Sequence, residues 1–345
     1  MGLRLSSALA VPLLLGLCLS ASTLAAQTAP AGEAAYGPRL EGYAYPHPVQ
    51  QYRFQSQGQS LEMAYMDVAA AHPNGQVAVL LHGKNFCAAT WEPTIEELSR
   101  AGYRVIAPDQ IGFCKSSKPQ TYQFTFQQLA ANTHALLGSL GISQYVLIGH
   151  STGGMLAMRY GLMYPAEVKQ LVLVDPIGLE DWKALGVPWQ SVDEWYKREL
   201  ATTAERIRNY EKNTYYAGTW SAGYEEPVQM LAGMYRGAGR EQVAWDSALL
   251  YDMIQTQPVI YEIGQLQMPV LLMIGEKDNT AIGKDLAGPE LRKKLGNYAE
   301  LGRKTAALIP HATLVSFPDL GHAPQIQAPE RFHKALLEGM AAARS

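Results

Sequence analysis

The sequence predicts an α/β fold: a mostly parallel, eight-stranded sheet flanked by helices and interrupted by one long helical insertion. Three observations carry this. Short apolar runs without polar alternation recur along the chain, the pattern of strands buried on both faces. Helix-length segments separate most of them, and crossovers of that size join parallel neighbours. Between Asp175 and Pro269 the rhythm stops for more than ninety residues, too long for a structureless loop inside a compact domain.

Composition narrows the class. The 345 residues are 48% hydrophobic and 17% charged, with a formal net charge of −3. A disordered chain would carry more charge, and a nucleic-acid partner would usually call for a basic surface. Near the N-terminus, Arg4 precedes the apolar run Leu9 to Leu19, and small residues follow through Ala26. The run is too short for a bilayer, which takes about 20 residues. Residues 1–26 therefore read as an export signal cleaved after Ala25 or Ala26, giving a secreted or periplasmic protein with no membrane span. Cleavage would also remove Cys18, leaving Cys87 and Cys114 as an even pair in an oxidising compartment.

Residues 27–51, with Tyr43-Ala44-Tyr45-Pro46-His47-Pro48, read as an extended arm because proline fixes φ and removes a donor. The main domain is assigned to 52–176 and 262–345. Tyr52 to Gln57 and Leu61 to Val68 pair through the turn at Gly58. Val77 to Leu81 is a buried strand ending in His82-Gly83. A helix from Trp91 to Ala101 then precedes strand Arg104 to Ala107. Helix Phe126 to Leu140 precedes strand Tyr145 to Ile148, and helix Thr152 to Tyr164 precedes strand Gln170 to Val174. Strands Val270 to Ile274 and Thr313 to Phe317 follow, with a last helix from Pro329 to Met340. The insertion, 177–261, is read as a helical cap; from Asp175 to Pro269 lie five of the six Trp, eight Tyr and no Phe. Such rings suit the lining of a substrate pocket, or pack the insertion onto the main domain.

The chemistry starts at Gly149-His150-Ser151-Thr152-Gly153, a G-x-S-x-G run between a strand and a helix. Small residues on both flanks let the chain turn sharply and expose the serine hydroxyl, which makes Ser151 the candidate nucleophile. A hydroxyl needs a base. Of eight histidines, His322 lies in Asp319-Leu320-Gly321-His322-Ala323-Pro324, directly after the last strand and at the C-terminal edge of the sheet. His82 and His150 sit in glycine turns and read as structural. The carboxylate that orients the base is assigned to Asp278, beyond strand Val270 to Ile274. Asp175 is the rival, ending the preceding strand at the same edge, and Glu276 is the weaker third choice.

These motifs, with Trp91 after His82-Gly83, Asp109-Gln110-Ile111-Gly112-Phe113-Cys114-Lys115-Ser116 and Pro329-Glu330, resemble those of α/β-hydrolase fold enzymes with a helical cap over residues 52 to 342. The order Ser, Asp, His along the chain is that family's. The resemblance implies an oxyanion hole made by the backbone amides of Thr152 and Lys84. Lys84 is unusual at its place; its ammonium is expected to run out to solvent, the alternative being a contact with an anionic or polar substrate group. The resemblance also makes the loops carrying Cys87 and Cys114 neighbours, so a disulfide there would clamp the oxyanion loop; two free buried thiols are the alternative. The separation of Asp278 from His322 is long for the family, and the surplus around 283–304 would be a second lid or a solvated helix. No motif points to a metal, nucleotide or other cofactor, and serine at the turn argues against relatives that use aspartate as nucleophile. The expectation is an exported serine hydrolase acting on a carboxylic ester or related small acyl substrate. The same triad serves amide, thioester or C–C bond cleavage or perhydrolysis, and a non-catalytic ligand-binding protein is the alternative of another class.

Overall fold

Apolar runs with no polar face become the inner strands of a single sheet. The computed structural model describes residues 1–2 and 34–343; the expected export signal and the beginning of the arm lie outside the described residues, Met1 and Gly2 excepted. The strands are β1 (Val49–Ser56), β2 (Gln59–Val68), β3 (Gln76–Leu81), β4 (Tyr103–Pro108), β5 (Tyr145–His150), β6 (Val168–Val174), β7 (Val270–Gly275) and β8 (Ala312–Phe317). Their spatial order is β1-β2-β4-β3-β5-β6-β7-β8. The pairs β1–β2 and β2–β4 are antiparallel and the rest parallel. Every residue of β5 and β7 is buried, which is why their sequences show no alternation. β1 begins at Val49 rather than Tyr52; it is an edge strand, and its polar exposed residues hide its start.

Helices α1 (Glu92–Arg100), α2 (Phe126–Ser139) and α3 (Thr152–Met163) cross between β3 and β4, β4 and β5, and β5 and β6. Because β4 lies on one side of β3 and β5 on the other, the winding reverses at β3. Ligands of open α/β sheets bind at such a reversal, beyond the C-terminal strand ends. Between β6 and β7 the chain forms α4 (Trp182–Leu185), α5 (Val192–Leu200), α6 (Ala204–Thr214), α7 (Glu225–Arg236) and α8 (Arg240–Thr256). Ser191 and Glu194 close a capping box at the start of α5, and the Thr203 hydroxyl accepts from the Arg206 amide at the start of α6. Among the described residues no helix is long and apolar enough to cross a membrane.

Two expectations are corrected, the first in part. The stretch between β7 and β8 holds α9 (Pro289–Arg292) and α10 (Tyr298–Leu308). α10 packs on β7 and β8, with Tyr298 and Thr305 buried, so it is the crossover helix of this pair, while α9 has no buried residue and is the solvated helix expected there. The described part of the arm is interrupted by turns and wraps the domain instead of extending from it. Leu40 is fully buried, the Tyr36 amide donates to Gly233 O on α7 at 2.9 Å, and Tyr45 Oη donates to Asp109 Oδ2 at 2.6 Å. Lys115 Nζ donates to the carbonyls of Leu40 and Tyr43. The arm thus straps α7 to the loop after β4. Its proline-rich sequence reveals the backbone shape but not the distant partners. The chain ends in α11 (Pro324–Gln327) and α12 (Pro329–Ala342).

Cys87, after β3, and Cys114, after β4, are joined by a disulfide with Cα atoms 5.9 Å apart. Cys114 takes φ +41°, a left-handed conformation that glycine adopts without strain. Replacing both cysteines by alanine is expected to cost about 2–4 kcal/mol in chemical denaturation. In reducing buffer, Cys114→Gly should be more stable than Cys114→Ala by about 1 kcal/mol; equal midpoints would remove the strain argument.

Candidate active site

β5 ends at His150 and α3 begins at Thr152, so Ser151 alone makes the turn, with φ 57° and ψ −120°. That conformation is costly for a residue with a side chain and persists only where the surroundings impose it. The surroundings are the two flanking glycines. A Cβ on Gly149 would stand 2.2 Å from Gly153 O, and one on Gly153 would stand 2.2 Å from Leu81 O. Neither contact can be tolerated, so the motif is a steric requirement of α3 pressing against the end of β3.

Beyond that turn, the structure brings three predicted residues into one hydrogen-bonded line. Ser151 Oγ lies 2.8 Å from His322 Nε2, and His322 Nδ1 lies 2.6 Å from Asp278 Oδ2. An aspartate oxygen can only accept here, so Nδ1 carries the proton and Nε2 is left to accept from the serine. The other oxygen of Asp278 accepts from the Thr280 amide at 2.8 Å and the Thr280 hydroxyl at 2.6 Å. All three residues are buried. The His322 backbone is held by His150 Nε2, which donates to the His322 carbonyl at 2.7 Å. Burial, reinforced by the nearby His322 ring, pushes His150 well below the usual imidazole range and keeps it neutral. The ring of Tyr215, from the loop after α6, packs on His322 with centroids 4.7 Å apart.

Asp175 directly follows β6 at the expected sheet edge, but its Oδ1 accepts from the Gly275 amide at 2.8 Å and its Oδ2 is buried without a partner. His322 Nδ1 bonds to Asp278 and to neither Asp175 nor Glu276. Burial, with the charge of Asp278 adding to it, holds the Asp175 carboxyl well above the usual carboxylate range. The two glycine-turn histidines tie loops together: His82 Nδ1 donates to Gly83 O at 2.9 Å and its Nε2 accepts from the Gln110 amide at 3.1 Å.

Among the described residues the amides of Lys84 and Thr152 donate to no protein acceptor. Thr152 opens α3, where amides lack an intrahelical partner and the helix dipole is positive. Lys84 follows Gly83, where an added Cβ would approach Ser151 Cβ to 2.9 Å, so its loop abuts the serine. The Lys84 side chain does not run to solvent. Its Nζ donates to Ser247 Oγ at 2.6 Å, lies 3.8 Å from Glu199 Oε2 and sits 3.6 Å above the Tyr251 ring. Ser247 donates onward to Glu199 Oε2 at 2.6 Å, and Tyr235 donates to the same oxygen. Burial lowers the lysine below its usual range, while Glu199 opposes the shift. Next to it, Asn85 Nδ2 donates to Tyr215 Oη at 3.0 Å. The insertion's tyrosines were expected as pocket lining, which Tyr251 bears out, but sequence reasoning missed Glu199 and Ser247 and the contact of Tyr215 with His322, because no motif marks them. Thr280, two residues past Asp278, had a local signal: an aspartate side chain commonly accepts from the backbone amide two residues on.

A cavity of about 500 Å³ opens beside this group, with Lys84, Phe113, Trp195, Tyr251 and Thr280 on its wall. Ser151 and His322 are not themselves on the wall; Lys84 and Thr280 connect them to it. Of the insertion's tryptophans only Trp195 lines the space. Trp182 is buried, Trp220 packs on Tyr216 and Tyr224, Trp245 Nε1 donates to Gln120 O at 2.9 Å, and Trp189 is exposed. Cys87, Asp109 and Cys114 lie together, but the disulfide engages both sulfurs. The Asp109 oxygens already accept from the Ala88 amide, Tyr45 Oη and the Lys115 amide, which leaves a poor donor set for a metal.

The chain belongs to the α/β hydrolase fold family, whose profile matches residues 77–329. It is 26% identical over 279 residues to Lipase 1 of Psychrobacter immobilis, covering 78% of this chain and 79% of that one. Lipase 3 of a Moraxella strain, TA144, matches at 25% over 261 residues, with 74% of each chain covered. Among solved structures, a probable hydrolytic enzyme from Pseudomonas aeruginosa PAO1 shares 67% identity with a TM-score of 0.88, covering 89% of this chain and 98% of its own.

The neutral, buried His150 gives a pH prediction. Its folded-state pKa is depressed, so the unfolded chain binds the extra proton, and the stability it contributes is present above about 6.5 and lost as pH falls below it. His150→Gln keeps a donor for the His322 carbonyl without a titrating ring. Urea denaturation at pH 8, 6 and 5 should show the wild type losing stability relative to this variant by up to about 1.4 kcal/mol per pH unit below about 6.5. Parallel pH dependences would show that His150 is not held neutral.

Proposed function

We propose that the protein is an exported serine hydrolase that cleaves carboxylic esters, or closely related acyl compounds, through an acyl-enzyme. The observation that supports this best is the continuous hydrogen-bonded line from Ser151 Oγ through His322 to Asp278, anchored at a strained turn. Ser151 Oγ attacks the acyl carbonyl while His322 Nε2 takes its proton, and Asp278 stabilises the imidazolium and fixes its tautomer. The negative charge formed on the carbonyl oxygen meets the unengaged amides of Thr152 and Lys84, an arrangement whose donors typically contribute several kcal/mol each. Collapse of the tetrahedral adduct breaks the ester bond, and the departing alkoxide takes the proton back from His322. Water, deprotonated by the same imidazole, then attacks the acyl-serine and regenerates the hydroxyl. The helices between β6 and β7 act as the cap that selects the acyl group, since their side chains form much of the cavity wall. Export is supported by the basic–apolar–small order of the first 26 residues and by the disulfide.

A fluorophosphonate probe should label the wild type and leave Ser151→Ala unlabelled; labelling that survives the substitution rejects Ser151 as nucleophile. On p-nitrophenyl esters, Asp278→Asn should lower kcat about ten-thousandfold, while Asp175→Asn should change it by no more than about tenfold. Labelling without turnover of any ester would favour another acyl bond over the ester. Peptide mapping of the exported protein should find a terminus at Ala26 or Gln27; an intact Met1 chain confined to the cytoplasm would reject export.

A further inference from the structure

The charge on the cavity wall is lopsided. Six cationic side chains reach it (Lys84, Lys118, Arg198, Arg206, Lys284 and Arg292) against two carboxylates, Glu199 and Asp285. Those two acids are already matched: Glu199 stands by Lys84 at 3.8 Å, and Asp285 pairs with Arg198. The other four cations bond to main-chain carbonyls. Lys118 donates to Cys114 O, Arg206 to Ala201 O, Lys284 to Asn279 O and Leu295 O, and Arg292 to the carbonyls of residues 284, 285 and 287. Asp246 lies near Lys118 without a hydrogen bond to it. Lys118 also faces Asp109, and Lys284 faces Glu180 and Asp278, so the positive charge that no carboxylate offsets is that of Arg206 and Arg292, which meet only carbonyl dipoles. A concave, partly apolar wall focuses such an excess onto whatever enters. Between the cations stand the rings of Trp195, Tyr210 and Tyr251, which offer contact to an apolar chain. The volume of about 500 Å³ suits a small molecule.

We propose that this cavity recognises a carboxylate at the far end of the acyl chain, so that the preferred substrates are half-esters of dicarboxylic acids. The proposal deepens, and for turnover rests on, the reading of Ser151 as nucleophile. Binding of the carboxylate itself does not depend on that reading.

Two esters differing only in one charge test it: the p-nitrophenyl monoester of adipic acid, and the same compound with its free acid capped as a methyl ester. At low salt the free acid should show kcat/KM at least about tenfold higher, the scale of one charge-assisted hydrogen bond. The gap should narrow as salt shortens the reach of the exposed cations. Arg206→Gln and Arg292→Gln, both at exposed positions, should each lower the ratio of free-acid to capped-ester kcat/KM about three- to tenfold. Ser151-dependent turnover with equal or reversed preference overturns the proposal and leaves the serine hydrolase reading standing. A melting curve separates the two failures. With Ser151→Ala, monomethyl adipate should raise Tm, dimethyl adipate should not, and Arg206→Gln should weaken the shift. A shift without Ser151-dependent turnover would support the anion site and reject the nucleophile. No shift from monomethyl adipate would overturn the anion site.

Discussion

The constraint on which the site depends is the near-contact between the start of α3 and the ends of β3 and β5. With Gly149 and Gly153 closing to distances no Cβ could occupy, the single residue between strand and helix is forced to φ 57°. Strain of this kind persists only where packing over-determines it. Here the packing is a fully buried strand on one side and a buried helix on the other. Three consequences follow from the one crossing. The Ser151 side chain meets His322, the first amide of α3 is left unengaged, and the Gly83-Lys84 turn is pressed against the serine.

Around that crossing lies a run of buried polar groups that is almost fully satisfied. His150 fixes the backbone of His322, Asp278 fixes its ring, and Thr280 fixes Asp278 through both amide and hydroxyl. In a low-dielectric interior such a chain is strong when complete and costly when broken. Among the described residues its incomplete members are Asp175, with one buried oxygen unpartnered, and Thr152, whose hydroxyl is buried without a partner. Burial and the neighbouring Asp278 both disfavour the charge of Asp175.

The helices inserted between β6 and β7 contact the loops that surround Ser151. They grip the loop after β3 by Lys84, through Ser247, Glu199 and Tyr251, and by Asn85, through Tyr215, whose ring also packs on His322. The described arm ties α7 to the loop after β4, and the disulfide ties that loop back to the one after β3. The insertion and the loops around Ser151 are therefore tied together by contacts between residues far apart in the chain.

The sequence by itself determined the strands, the crossover helices that precede β4, β5 and β6, the turn at Ser151 and the position of His322. Each of these follows from short-range rules: buried parallel strands are continuously apolar, a tight strand–helix turn needs glycines, and functional loops leave the strand ends. What depends on distant partners was beyond such rules. Lys84 reads as a surface lysine until α5 and α8 fold over it, and the arm reads as extended until Leu40 finds the core. The choice between Asp278 and Asp175 likewise needed space rather than order, since both follow neighbouring strands and only one reaches the His322 ring. Local backbone preference is written residue by residue; which buried charge meets which partner is decided only when the helices pack.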